Sequence, residues 1–475
     1  MSIAAPLSAA DLPPEILEHI FLRVQPVIPD YTPFVHIPPE NGHRYIMRQD
    51  WIWITHVCRY WRDVGLASSS LWTNIFLGRR PSIHEYDAGF LRASLSRSRD
   101  RPLVVRIVAR HHARMDGPLL QEIFQHAFRI KELYIYSRLF FNDLVFPQNL
   151  LSSLPLTTLV VQDGHGNQGS LQALFDAGFS HRLTKLECLS AIGWTPPMLQ
   201  RFQHLRQLHL HQLPHIATGT HSFRYFMTTL QTSPSLEDLV FSHADRHHLM
   251  DKVFGTINTT TRVQIPALRR LCFYDCSIRF INTFCSAFEH PPSLTTAILS
   301  EFGLRSTEVA EAKAFAGAWF STTTTLCLVA DRHGTDVVGL RGSSAWRFDA
   351  FPFLSEAGLD LSVNAMNDVE EIWYDSRLDL RPTQRFSPAS YKNAFATIVN
   401  TTRNLKKLVV AAPYFDVAWL DVLTYWSEGE LPCPQLSTIV FYGFAGPQVR
   451  ELFKFLAARA RAMAPLAHQI GRAHV

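Results

Sequence analysis

The sequence has no HExxH pair, no CxxC pair, no GxSxG elbow and no GxxxxGK[ST] loop. Without the first two, the common zinc sites have no ligand set at workable spacing. Without the third there is no strained turn to present a hydrolase serine, and without the fourth no backbone cradle for nucleotide phosphates. Histidine is plentiful, at 22, but His243, His247 and His248, or His209 and His211, have no further ligands beside them and read as solvated or core-edge residues. The Gly-rich stretch Asp163–Ser170 follows a short apolar run and reads as a turn. The expectation is a protein that is not an enzyme, with no catalytic residue, no metal and no cofactor.

A strong field is missing too. The net charge is +4 and only 18% of residues are charged, which does not favour nucleic acid or an anionic membrane as partner. No apolar run approaches the roughly 18 residues of a membrane-crossing helix. The opening MSIAAPLSAAD lacks the basic start and long apolar core of a secretory signal. The seven cysteines are odd in number, scattered and mostly set in apolar runs, so they read as reduced thiols in a cytoplasmic or nuclear protein.

What is present is apolar and patterned. The chain has 475 residues, 47% of them hydrophobic, ample for a folded core. After a tail at residues 1–10 comes DLPPEILEHIFLRV. Prolines suit a first helical turn, where the missing N–H is not needed, and Asp11 is placed to cap it. Ile16, Leu17, Ile20, Phe21 and Val24 then share one helical face. Residues 25–50 form a loop with Pro26, Pro29, Pro33, Pro38 and Pro39. A second helix is expected through Ile54, Val57, Cys58 and Trp61, at i, i+3, i+4 and i+7, then a short third turn broken by Ser68–Ser70 before Leu71 and Trp72.

Three short helices of about 65 residues seldom build an ample core alone. So much apolar surface implies burial against another polypeptide, or against the chain's own following domain. Residues 11–78 closely resemble a fungal, basidiomycete-type F-box-like domain. The resemblance is carried by Leu12, Pro13, Glu15, Ile16, Leu17, Ile20 and Phe21, then Val57, Cys58, Trp61 and Arg62, then Leu71 and Trp72. The loop at residues 25–50 is longer than that of a minimal F-box. The resemblance implies docking to a Skp-type adaptor of a cullin–RING ubiquitin ligase, through Leu12, Pro13, Pro14, Ile16, Leu17, Ile20, Val57, Cys58 and Trp61.

Residues 79–101 read as a helix and link, in which Tyr86, Phe90, Leu91 and Leu95 are apolar; Leu103, Val105 and Ile107 then alternate as a strand. Arg97, Arg99, Arg101, Arg106, Arg110 and Arg114 read as a solvated junction. Over residues 102–465 a unit recurs, apolar-x-x-apolar-x-apolar. It appears at Ile130-Leu133-Ile135, Leu156-Leu159-Val161, Leu183-Leu186-Cys188, Leu205-Leu208-Leu210 and Leu236-Leu239-Phe241. It continues at Leu268-Leu271-Phe273, Leu294-Ala297-Leu299, Val369-Ile372-Tyr374, Leu405-Leu408-Val410 and Leu436-Ile439-Phe441, with a weaker copy around Leu326. Many copies follow a helical stretch and a polar break, at intervals mostly of 22 to 36 residues. Helix, break and strand at such a period is the pattern of a leucine-rich-repeat solenoid. One copy adds Cys276 and Ile278, with Cys276 where an Asn or Cys satisfies backbone groups at the turn. The long gap after Leu326 predicts a bend or insertion near residues 331–360.

The fold class expected is therefore α/β: a small helical F-box followed by a leucine-rich-repeat-like solenoid of parallel strands and outer helices. The x positions of the strands place Arg206, His209, Glu237, Arg269, Glu370 and Lys406 on a face suited to an unknown target protein, although polar x positions also serve solubility alone. The function expected is substrate recognition in an SCF-type ubiquitin ligase; the alternative is a non-degradative protein-binding scaffold. The last six residues, IGRAHV, match the translation of a common sequencing-adapter string, so residues 470–475 are expected to be an artefact of the gene sequence.

Overall fold

The computed structural model of the chain describes residues 12–24, 51–78, 88–109, 117–137, 154–163, 182–188, 203–211, 227, 230–231, 233–242, 262–274, 276–289, 291, 293–299, 322–331, 334–348, 366–376, 396, 399, 402–411, 433–442, 454–455, 457, 459 and 468–472. It divides into two compact units, Met1–Ser242 and Leu268–Val475, with short stretches of 243–267 shared between them. Both are mixed α/β and rich in parallel strands, with few helices among the described residues.

The first unit begins with α1 (Pro14–Val24), α2 (Trp51–Ile54), α3 (Arg59–Ala67) and a 3-10 turn at Ser69–Trp72. β1 (Asn74–Gly78), α4 (Ala88–Arg97), β2 (Leu103–Ala109) and α5 (Gly117–Gln125) follow. Then come β3 (Ile130–Ser137), β4 (Thr158–Asp163), β5 (Lys185–Cys188), β6 (Gln207–His211) and β7 (Asp238–Ser242). These strands pair in parallel in strict chain order. The recurring template sets the register: Leu133 stands opposite Leu159, Leu159 opposite Leu186, Leu186 opposite Leu208, and Leu208 opposite Leu239. All five are buried, each contributing roughly 1.5–3 kcal/mol by its removal from water.

The second unit holds β8 (Val263–Gln264), β9 (Arg270–Tyr274), α6 (Ile278–Ser286), β10 (Phe288–Glu289) and β11 (Thr295–Leu299). It continues with β12 (Thr325–Asp331), β13 (Gly334–Arg341), β14 (Ser344–Phe348), β15 (Glu371–Ser376), β16 (Lys407–Ala411), β17 (Thr438–Tyr442) and β18 (His468–Arg472). The insertion expected after Leu326 is an antiparallel excursion: β13 pairs with β12 on one side and β14 on the other, while β14 pairs in parallel with β11 and β12 with β15. Two extra strands thus lie between parallel neighbours without leaving an open edge there. Residues 470–472 lie in β18, paired with β17.

Every strong copy of the template is a strand, but one copy is displaced. At Leu294-Ala297-Leu299 the residues opposite Leu271 and Phe273 are Thr296 and Ile298. A slip of one residue exchanges the two faces of a strand. Thr296, almost fully buried, stands where the pattern expects a leucine.

The turns before the strands are tied together by main-chain groups. Two successive N–H groups donate to one carbonyl of the preceding turn: Thr184 and Lys185 to Thr157, Arg206 and Gln207 to Thr184, Glu237 and Asp238 to Arg206. The second unit repeats this with Glu370 and Glu371 on Thr324, Lys406 and Lys407 on Glu370, and Ser437 and Thr438 on Lys406. Cys276 contacts its turn as expected, its Sγ lying 3.4 Å from the Tyr274 carbonyl, and Ser277 caps α6 through Phe280 N–H.

Near the other end of the second unit, Cys433 adopts a left-handed φ of 48° and its thiol donates to the Val399 carbonyl at 3.2 Å. The buried Arg459 guanidinium donates to the Cys433 carbonyl at 3.1 Å. Burial pushes the Cys433 thiol up to about 12, partly opposed by Thr402 and Arg459. The folded state therefore keeps a proton that the unfolded chain releases above its ordinary pKa of about 8.5, so this contribution is full below about pH 8.5 and falls as pH rises towards 12. We expect the alkaline loss of stability to be shallower in Cys433→Ala, measured by urea unfolding at a series of pH values. An unchanged slope would remove the thiol from the account.

Candidate protein-docking site

The described residues 12–24 and 51–72, with Phe90 of α4, make a small core. Leu17, Phe21, Leu71 and Trp72 are buried together, and Leu12, Ile52, Tyr60, Trp61, Val64 and Phe90 pack against them. Phe21 meets the edge of Trp61 at 5.7 Å between ring centroids. The Trp72 indole donates to the Gly65 carbonyl at 3.0 Å, and a Cβ at Gly65 would come within 2.8 Å of Thr55. That close approach explains a glycine inside α3, where it otherwise costs about 1 kcal/mol. Ser70 bonds Glu18, joining the 3-10 turn to α1. Hydrogen bonds from Ser70 and then Ser68 hold the Glu18 carboxyl below its usual range, against the opposing effect of burial, with Arg101 assisting.

This core sorts the residues expected to dock. Pro13 and Pro14 are exposed, and the Pro13 carbonyl accepts the first helical N–H groups, from Ile16 and Leu17. Asp11, expected to cap α1, lies outside the described residues. Ile16 is 49% exposed and Val57 59%. Leu12, Ile20, Cys58 and Trp61 are half-buried; the Leu12 carbonyl accepts from the Tyr60 hydroxyl at 2.8 Å. Leu17 is a correction: it is fully buried, because its place on α1 turns inward with Phe21, so it holds the module together and offers nothing to a partner.

The expected helix through Ile54, Val57, Cys58 and Trp61 is also corrected. Thr55 Oγ1 donates to the Ile52 carbonyl at 2.6 Å and closes α2 early. Cys58 then begins α3 as its N-cap, its Sγ accepting from Trp61 N–H at 3.5 Å. A thiol is a weak cap beside Ser or Asp, so a helix start at Cys58 carries little signal in the residue pattern. The break leaves Trp53 73% exposed, a residue not singled out in the sequence. Its signal was residue type: tryptophan is enriched where interfaces concentrate their binding energy. Of the ten exposed large apolar side chains among the described residues, six lie in this module: Ile16, Leu22, Val24, Trp53, Val57 and Leu66.

The strands supply the second surface. Arg206, Arg269, Glu370 and Lys406 are exposed, in the turns before β6, β9, β15 and β16, and Glu237 is half-exposed before β7. Arg206 lies 3.8 Å from Glu237, and Lys406 bonds Glu370 at 2.6 Å. His209 is a further correction. It is only 2% exposed, with Nε2 3.9 Å from the buried Asp238 carboxylate. Around it this face is covered, since Val160 and Val240, also between core positions of their strands, are buried; in the second unit Trp373, at the like position of β15, is 39% exposed.

Among the described residues no group of three or more His, Cys, Asp or Glu could hold a metal ion, and no helix is long and apolar enough to cross a membrane. Six described cysteines carry free thiols. The chain matches no curated protein. A family profile described as F-box-like matches residues 9–78, which places an F-box-like domain on the helical module with its exposed apolar side chains.

Proposed function

We propose that the chain is the substrate-recognition subunit of an SCF-type cullin–RING ubiquitin ligase. F-box domains generally bind Skp-type adaptors. The observation that carries the reading is the module's division of labour: a closed core of Leu17, Phe21, Leu71 and Trp72 beneath exposed Ile16, Trp53 and Val57. Apolar groups already excluded from their own core are suited to burial by a partner. The strand array, read as a leucine-rich-repeat-like solenoid, holds a target protein by its leading ends. Catalysis belongs to the partners, and the chain works in the cytoplasm or nucleus, where free thiols persist.

Co-expression with a Skp-type adaptor tests this. Native protein should co-purify with the adaptor, and Ile16→Asp with Val57→Asp should lower the affinity roughly tenfold or more without loss of folded signal, since both side chains are exposed. Equal affinity of the double variant would end the docking assignment. Intact adaptor binding with target half-lives unchanged in cells lacking the protein would favour a non-degradative scaffold.

A further inference from the structure

Three of the exposed large apolar side chains outside the N-terminal module stand in the second unit: Leu340, Trp373 and Tyr442, each between 37% and 39% exposed. They belong to β13, β15 and β17, which are separated in the sheet by β12 and β16. The ladder puts all three on one face. Leu340 stands opposite Thr325 and, through it, Glu371; Trp373 lies two residues beyond Glu371. Trp373 stands opposite Val409 and, through it, Val440; Tyr442 lies two residues beyond Val440. Paired residues, and residues two apart on one strand, share a face.

The three are also in line. Each step, from Leu340 to Trp373 and from Trp373 to Tyr442, crosses two strands and advances two residues. At about 4.8 Å per strand and about 3.3 Å per residue, each step is about 12 Å. The side chains between are smaller and less exposed: Val338 and Cys327 are half-buried, Val409 and Val440 buried. The result is an apolar diagonal with three raised points. Its middle point is held in place. The Trp373 indole N–H donates to a Glu371 carboxylate oxygen at 2.7 Å, and the Lys407 ammonium lies 5.3 Å from the ring centroid. Lys407 and Glu371 are themselves joined at 2.5 Å, as Lys406 and Glu370 are at 2.6 Å. These charges neutralise one another, so the diagonal offers apolar area and a pre-set ring rather than net charge.

We infer that this diagonal takes an amphipathic α-helix of the bound protein, seated by its apolar stripe. The inference rests on the proposed function, in which the strand array holds a target, and adds to the leading ends a contact on the strand face. Spacing and backbone chemistry select the helix. Two helical turns advance about 11 Å, so one stripe meets all three raised points with residues about two turns apart, over about 16 residues. A helix also satisfies its own main-chain groups. An extended segment laid across the face would find side chains there, and its N–H and C=O groups would lack the ladder partners that a sheet edge provides. The closed ion pairs beside Trp373 match an uncharged stripe, since a charged group seated there would lose water and gain no opposite charge.

The test is fluorescence anisotropy of the full chain with a labelled alanine-rich helical peptide of about 18 residues whose leucines form one stripe. The same peptide with its leucines spread round the helix is the control. The striped peptide should bind saturably, and the control roughly tenfold more weakly or not at all. Trp373→Gln should lose roughly tenfold or more of the affinity, and Leu340→Gln and Tyr442→Gln about threefold each. Phe128→Gln, at an exposed apolar residue of the first unit, should lose none. Binding that is absent, equal for the two peptides, or lost in Trp373→Gln yet untouched by both other changes overturns the diagonal. Self-association of the native chain that Trp373→Gln abolishes also overturns it, in favour of a second copy as occupant. Adaptor co-purification separates the two readings. Native protein that binds the adaptor and not the striped peptide refutes the diagonal alone, whereas native protein that binds the peptide and not the adaptor refutes the proposed function and leaves the diagonal standing.

Discussion

Truncation of Phe21 to Ala should unfold the N-terminal module. The ring is fully buried among Leu17, Leu71 and Trp72, with Trp61 edge-on at 5.7 Å. Removing it loses the transfer free energy of the ring and leaves a cavity that α1 cannot close while Ser70 still ties Glu18 in place; such truncations cost about 3–5 kcal/mol. A module of this size has about that much stability in total. Limited proteolysis of the full chain should then cut within residues 12–72, while the parallel strands stay protected, and the adaptor binding proposed for the module should disappear. Ile16→Ala, at a half-exposed position of the same helix, should change stability by roughly 0.5 kcal/mol or less. Similar proteolysis of the two variants would show that the inward and outward faces of α1 have been misassigned.

A single added methyl group at Gly339 should be nearly as damaging. Gly339 stands opposite Trp346 across the β13–β14 pair, and a Cβ there would lie 2.0 Å from the indole. The ring has little room to yield: it is 5% exposed, and its Nε1 donates to Thr323 Oγ1 at 2.8 Å. Gly339→Ala must therefore expel the indole or bend the strand, at a cost of about 3 kcal/mol. Tryptophan fluorescence should shift to the red as Trp346 meets water, and urea unfolding of the second unit should move to lower concentration. Adding Trp346→Leu should recover part of the loss, a non-additivity expected only of groups in contact. A Gly339→Ala protein as stable as the native chain would mean that the indole does not rest on this glycine.

Those two sites differ in how far they could be read in advance. Phe21 belongs to a helical stripe, and the stripe is visible; which half of it turns inward was not, because Ile16 and Leu17 are adjacent and equally apolar. The strands were legible because each carries leucine-like residues at fixed offsets, and ladder pairing reproduces that spacing in space. The displaced register at β11 was hidden by a buried Thr296, which a hydrophobic template skips. The burial of His209 was hidden for another reason: alternation reports which residues share a face, and not whether that face is covered. The Gly339–Trp346 contact depends on two antiparallel strands whose pairing partners the repeat could not specify.

The carbonyl-centred ties between successive turns use main-chain atoms, seconded by the hydroxyls of Thr157, Thr184, Thr324 and Ser437, so the charged side chains mounted on those turns carry few obligations to the fold. Such positions can drift under selection, or be exchanged by an engineer, while the scaffold beneath them persists. A lineage of these chains could thus change the chemistry of that edge by altering a handful of codons, with no need to invent another architecture.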